Sequence, residues 1–376
     1  MPSRAQIVRL TSDARARAVL VPYVLSRGIV LFSLVLTRHV LRGKSAAPLP
    51  IQARMGLLGW DAAWYRDIAH SGYNGVAKVG LRFFPLFPLV SRVVSWVPGV
   101  SSGLAVVLVA NVSALVVGVL VYELARREGR EPALARRAVW IVYLAPSAFV
   151  LVMGYAEATF MIATIAALLA LRSRHWWIAA VAGVLAGLTR PVGVLLVVPA
   201  VFEVWRRRGV AGRREYVSLA GAVIGPALGT GAYLAWARHR TGQLLYPLTV
   251  QQVSASRGGW IDPFRALWRA ARLAERGGHL SAGIHVVTAA VLVALIVVLW
   301  RRWPASFTAY AAAVVIVALS ARNLDSLERY SLSTVPLVLA AAELTGGGTR
   351  ERAVFVALGA LLVACSILAF SGLLVP

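Results

Sequence analysis

Apolar runs of roughly 14 to 24 residues recur along this chain between short polar segments, a spacing that predicts a bundle of membrane-crossing helices. The runs cover about 18–37, 102–124, 138–152, 158–171, 176–189, 191–205, 217–237, 283–300, 304–321, 330–344 and 352–375. That makes about eleven expected spans. Several fall short of the usual length of about 20 residues and are expected to be tilted, re-entrant or bounded a few residues off. Two longer polar stretches, 38–101 and 238–282, stand between runs, and no fixed-period repeat or soluble domain interrupts the pattern. The expected fold is therefore all-α and integral to a membrane, one domain over residues 1–376.

Composition agrees with the pattern and adds an orientation. The chain of 376 residues is 59% hydrophobic and 14% charged, with mean hydropathy +0.73. Its net charge of +24 comes from 39 basic residues against 15 acids. The basic residues gather between apolar runs, at Arg126–Arg137, Arg172 and Arg174, 206–215, and Arg301 with Arg302. That distribution sets membrane orientation and argues against nucleic-acid binding. It puts the basic amino terminus in the cytoplasm, keeps the first run as an uncleaved helix, and places 38–101 outside a multi-pass cell-membrane protein. The basic stretch 238–282 is long enough to escape the rule, and within it residues 260–276 read as an amphipathic surface helix with Trp260, Phe264 and Leu267 on one side. The single cysteine, Cys365, reads as a packing residue, and the six histidines show no metal-ligand spacing.

Candidate chemistry concentrates in the first polar stretch, in GWDAAWYRDIAHSGYNGVAKVGLRFFPLFP from Gly59 to Pro88. On a helix over 60–70, Asp61, Tyr65 and Ile68 share a face, and Asp67 lies roughly 120° from Asp61. The two acids are therefore no catalytic pair. Asp61 lies among Trp60, Trp64 and Tyr65, a setting also typical of a solvated residue in an interfacial aromatic belt. The two prolines of FFPLFP predict a bent approach to the bilayer in place of a regular span.

The expected topology carries Asp61, Asp67, Glu157, Arg190, Asp325, Glu328 and Arg329 to one side of the membrane. Glu157 at membrane depth is costly unless paired or used, so it is either a structural ion-pair partner or part of a site. Arg190 and Arg329 read as topology anchors or as forked donors to a phosphate. Together the group describes a pocket with one carboxylate base and guanidinium groups for a lipid phosphate. A transporter of lipid-linked material would instead need charges deeper in the helices and often a repeated half, and neither pattern is present.

The segments WDAAWYRDIAHSGY (60–73), FFPLFPL (83–89), YAEATF (155–160), GLTRPVG (187–193) and ERYSLSTVPLVL (328–339) resemble the GPI mannosyltransferase II, or PIG-V-like, family, which has bacterial members. The resemblance implies a GT-C type membrane fold whose first outer loop carries the active site. It further implies inverting transfer of mannose from polyprenyl-phosphate-mannose to a hydroxyl of a lipid-linked or glycan acceptor. Asp61 would be the general base, with Arg190 and Arg329 on the donor phosphate and Trp60, Trp64, Tyr65, Glu157 and Tyr330 against substrate. No cofactor is implied, and metal dependence is left open. Arg190-Pro191-Val192-Gly193 departs from the Arg-Ser-Asn-Gly of eukaryotic members and leaves the acceptor unnamed.

Overall fold

The computed structural model describes residues 4–44, 48–210, 212–252, 257–275 and 280–375. These residues form α-helices and short 3₁₀ turns, with no strand beyond an isolated bridge between Trp260 and Ala321. Helix α1 (Arg4–Lys44) leads through the short α2 (Ile51–Met55), α3 (Asp61–Ser71) and α4 (Leu86–Val94) to the longer elements. These are α5 (Ser102–Arg127), α6 (Pro132–Leu144), α7 (Glu157–Arg172), α8 (Trp176–Thr189), α9 (Val197–Arg207) and α10 (Arg213–Thr241). After the one-turn α11 (Tyr246–Thr249) come α12 (Pro263–Glu275), α13 (Leu280–Arg302), α14 (Ala305–Leu319), the short α15 (Leu327–Ser333), α16 (Val335–Thr345) and α17 (Thr349–Phe370).

Five helical stretches, Ala14–Arg42, Ser102–Arg127, Arg213–Thr241, Ala282–Arg302 and Thr349–Phe370, are long and apolar enough to cross a bilayer. Three shorter apolar helices, α8, α14 and α16, lie among them. Large apolar side chains point outward along these elements, among them Val24, Phe32, Val112, Ile224 and Val287. Such a girdle suits lipid and marks a membrane protein. The amphipathic stretch expected at 260–276 forms α12 and packs on α13, with Phe264 and Trp268 exposed; residue 276 lies outside the described residues.

Three expected runs are not single helices. The run 138–152 breaks after Leu144 at Pro146 and resumes as a 3₁₀ turn, Ala148–Leu151. The run 191–205 starts as a 3₁₀ turn, Pro191–Leu196, before α9. The run 330–344 divides at Thr334, two residues before Pro336. Proline supplies no N–H and disfavours helical geometry in the residue before it, so each break falls where the ladder is weakest. The stretch after FFP is also short: α4 covers nine residues, Leu86–Val94.

Unwound backbone in an apolar interior needs other partners. Around 148–154 they come from the membrane-facing elements α1 and α5. Arg27 donates to the Leu151 carbonyl at 3.0 Å and to Asn111 Oδ1 at 3.1 Å, and Asn111 Nδ2 donates to the Val152 carbonyl at 2.9 Å. The Gly154 N–H donates to the Leu57 carbonyl at 3.0 Å, which ties this segment to the loop before α3. Elsewhere, α8 and α10 approach through Gly183 and Gly187 against Gly225 and Gly229, where an added Cβ would meet partner backbone within 2.1–3.0 Å. Small residues four apart permit that closeness, which replaces the missing hydrophobic drive between helices in lipid.

Candidate active site

Asp61 is the first residue of α3, where a carboxylate is favoured by the helix dipole. Trp60 before it has φ +55°, an unusual backbone for a residue with a Cβ, costing about 1–3 kcal/mol. Its surroundings over-determine that conformation. The Trp60 N–H donates to Gln52 Oε1 at 2.9 Å, and its indole Nε1 donates to the Ala369 carbonyl of α17 at 3.0 Å. The Asp61 N–H donates to the Tyr155 hydroxyl at 3.2 Å. Thus the unwound segment before α7 and the far end of α17 both fix the carboxylate.

Opposite Asp61 lies α15, entered through Ser326, a second non-glycine residue in the left-handed region, at φ +73°. Arg329 NH1 donates to Asp61 Oδ2 at 2.7 Å, and its NH2 donates to Ser326 Oγ at 3.1 Å. Arg329 Nε also lies 3.2 Å from Glu157 Oε1, an ionic contact without hydrogen-bond alignment. Glu157 Oε1 accepts from Arg190 NH1 at 2.7 Å, while the buried Glu157 Oε2 has no partner among the described residues. Arg82 NH2 stands 3.5 Å from Asp61 Oδ1. A chain of charge therefore runs Arg82–Asp61–Arg329–Glu157–Arg190, with Glu157 and Arg190 buried. Burial works against the charged form of Arg329, yet Glu157 and Asp61 outweigh it and hold this guanidinium well above its ordinary value. Tyr65, buried against Phe83 and Phe87, is raised by its burial and by the nearby carboxylates.

These groups line a polar cavity of about 250 Å³. It receives Arg82, Arg190, Arg257 and Arg329 against Asp61, Glu157 and Asp325, so four positive groups face three negative ones. Two apolar cavities adjoin it. One, of about 650 Å³, lies between α13, α16 and α17 and shares Arg329 and Val375 with the polar cavity. The other, of about 320 Å³, lies between Val194, Leu248 and Val317 and shares Pro191, Gln251 and Arg257. An anionic head group with an apolar chain fits this combination of surfaces. Among the described residues no group of three His, Cys, Asp or Glu is placed to hold a metal ion.

Of the residues expected from sequence, Asp61, Arg190, Arg329, Trp60, Tyr65, Glu157 and Tyr330 line the polar cavity. Trp64 does not. It stacks on Phe83 at 5.8 Å and packs over Gly80. Asp67 faces away, paired with its neighbour Arg66 at 2.8 Å. Glu328 is turned from Asp61 and accepts from Thr288 and bonds His285. Sequence reasoning left out Arg82, Gln251 and Arg257. Arg82 stands directly before FFPLFP and was readable as part of that motif; Arg257 sits in a long basic loop that offers no periodic signal.

No protein-family model matches this chain, and no curated protein is significantly similar to it.

Proposed function

We propose that the protein is a membrane glycosyltransferase that moves mannose from polyprenyl-phosphate-mannose to a hydroxyl of a lipid-linked or glycan acceptor, with inversion, at the outer face of the cell membrane. The reading includes the eleven-span topology with a cytoplasmic amino terminus. It rests on the motif resemblance and on one observation: Asp61, held by the segment before α7 and the end of α17, faces a polar cavity rich in arginine that two apolar cavities adjoin.

In this mechanism the acceptor oxygen attacks the anomeric carbon as the bond from that carbon to the phosphate oxygen breaks. The acceptor proton passes to Asp61, and the leaving group departs as polyprenyl phosphate. Each Asp61 oxygen keeps an acceptor position beyond its contact with Arg329 or Arg82, so the ion pairs orient the base without filling it. Charge also balances along the path. The cavity's single surplus positive charge matches a phosphodiester donor. Once Asp61 is protonated, Arg329 keeps only its contact with Glu157 and the surplus becomes two, matching the phosphomonoester as its second charge develops. Glu157 Oε2 offers an acceptor to a sugar hydroxyl, and Trp60 and Tyr65 supply apolar wall.

The test is transfer from synthetic polyprenyl-phosphate-mannose to a membrane-lipid extract by purified wild type and Asp61→Asn. The wild type is expected to transfer and the variant to lose about 10²–10⁴-fold while remaining folded. Near-normal transfer by the folded variant sinks Asp61 as base. No donor turnover by the wild type sinks the transferase reading.

A further inference from the structure

The guanidinium groups of the cavity are not equivalent. Arg190 and Arg329 are both engaged with Glu157, and Arg329 with Asp61 as well. Arg82 stands beside Asp61. Arg257 has no carboxylate within ion-pair distance among the described residues, and its buried Nε donates to nothing there. Its NH1 donates to the Tyr330 hydroxyl at 3.2 Å, and its NH2 reaches the Val317 and Ala318 carbonyls only at 3.4 and 3.5 Å. Arg257 is therefore the cavity guanidinium whose charge has no carboxylate partner among the described residues.

Its backbone is fixed. The Asn323 N–H donates to the Arg257 carbonyl at 2.9 Å, the Arg322 N–H to the Gly259 carbonyl at 3.0 Å, and the Ile261 N–H to the Ser320 carbonyl at 3.2 Å. Gly258 has φ +67°, and a Cβ there would meet Arg322 at 2.8 Å, so glycine is required for the two segments to lie together. Arg257 is thus presented from a rigid edge into the seam between the 250 Å³ polar cavity and the 320 Å³ apolar one.

We propose that Arg257, with the Tyr330 hydroxyl, binds the phosphate of a prenyl-phosphate lipid, and that the first isoprene units of its chain leave through the 320 Å³ cavity. This assignment rests on the transferase reading for the identity of the lipid. It moves the phosphate from Arg190 and Arg329, whose charges are already matched, to the group whose charge is not. A forked guanidinium with a buried, unpaired Nε suits a phosphate, and the apolar wall begins at the same residue. The larger cavity between α13 and α17 is left to the acceptor side.

The test measures binding of a long-chain prenyl phosphate to the full-length protein in detergent, by native mass spectrometry, apart from sugar transfer. Arg257→Ala is expected to weaken binding about tenfold or more, and to raise the donor KM without raising the acceptor KM. Arg257→Gln, polar but uncharged, replaces alanine if the loop unfolds. Val194→Trp, filling the 320 Å³ cavity, is expected to weaken binding, whereas Val291→Trp at the larger cavity leaves it unchanged. Wild type that transfers sugar, with Arg257→Gln binding prenyl phosphate as tightly, overturns the assignment and leaves the transferase reading standing. Weakening by Val291→Trp and not by Val194→Trp overturns the chain route. Wild type that binds no prenyl phosphate overturns both readings.

Discussion

The two ends of the helical bundle use the same residues, arginine with glutamate or aspartate, in different surroundings. At the end where α5, α7, α9 and α13 finish, Arg172 spans Glu128 and Glu203, Arg207 meets Glu215, Arg136 meets Glu351, and Arg302 meets Glu343. Several arginines at this end reach solvent, with 57% of the Arg302 side chain and 54% of Arg206, which lies beside Glu203, exposed, although their carboxylate partners are only 11% and 8% exposed. At the other end the Glu157 and Arg190 side chains are 2% and 9% exposed. A pair held in water contributes little and is easily remade. A desolvated pair is strongly committed, and removing one partner leaves a charge that nothing nearby can solvate. The contrast teaches that the number of ion pairs does not locate the site; burial of both partners beside the polar cavity does.

The comparison can be broken experimentally. Glu157→Gln strands Arg190 and leaves Arg329 with Asp61 alone; the expected loss is about 3–5 kcal/mol of stability together with loss of transfer, read by melting in detergent and by the mannose assay. An unchanged melting temperature would show that the buried pair is no costlier to break than an exposed one. Next comes Gly187→Leu, close to the site end of α8, which breaks no ion pair but drives a side chain into Pro226 and Thr230 of α10; overpacking is expected to cost about 1–3 kcal/mol or more, visible as a lowered melting temperature. Arg206→Ala at the exposed end should change stability by no more than about 0.5 kcal/mol and leave transfer unaltered. A loss from Arg206→Ala as large as that from Glu157→Gln would erase the distinction between the ends.

Much of the architecture was legible because apolar length is a local property. Residues 176–189 form α8 with the expected bounds, and α5, α7 and α14 fall within three residues of theirs. The break at 145–148 was not legible, since Ala148–Leu151 is as apolar as a helix and its freed carbonyls are satisfied by Arg27 and Asn111 far away in sequence. The candidate site divides the same way. Asp61, Glu157, Arg190 and Arg329 stood out because a charge beside an apolar run is conspicuous. Trp64 was misplaced because Phe83 folds back across a loop to stack on it. Arg257 was invisible because its position depends on a loop lying against residues 320–323, a pairing that no helical period announces.

The clamp on Trp60 and Asp61 also sets a schedule for biosynthesis. The Arg329 partner of Asp61 lies 268 residues later in the chain, and the Ala369 carbonyl that holds the Trp60 indole lies 309 residues after it. A nascent chain carries Asp61 with Gln52, Arg82 and Tyr155 early, yet the clamp is complete only once α15 and α17 have been made. On the transferase reading, a molecule made only as far as α14 holds its base without the Arg329 and Ala369 contacts, and the full clamp arrives with α17.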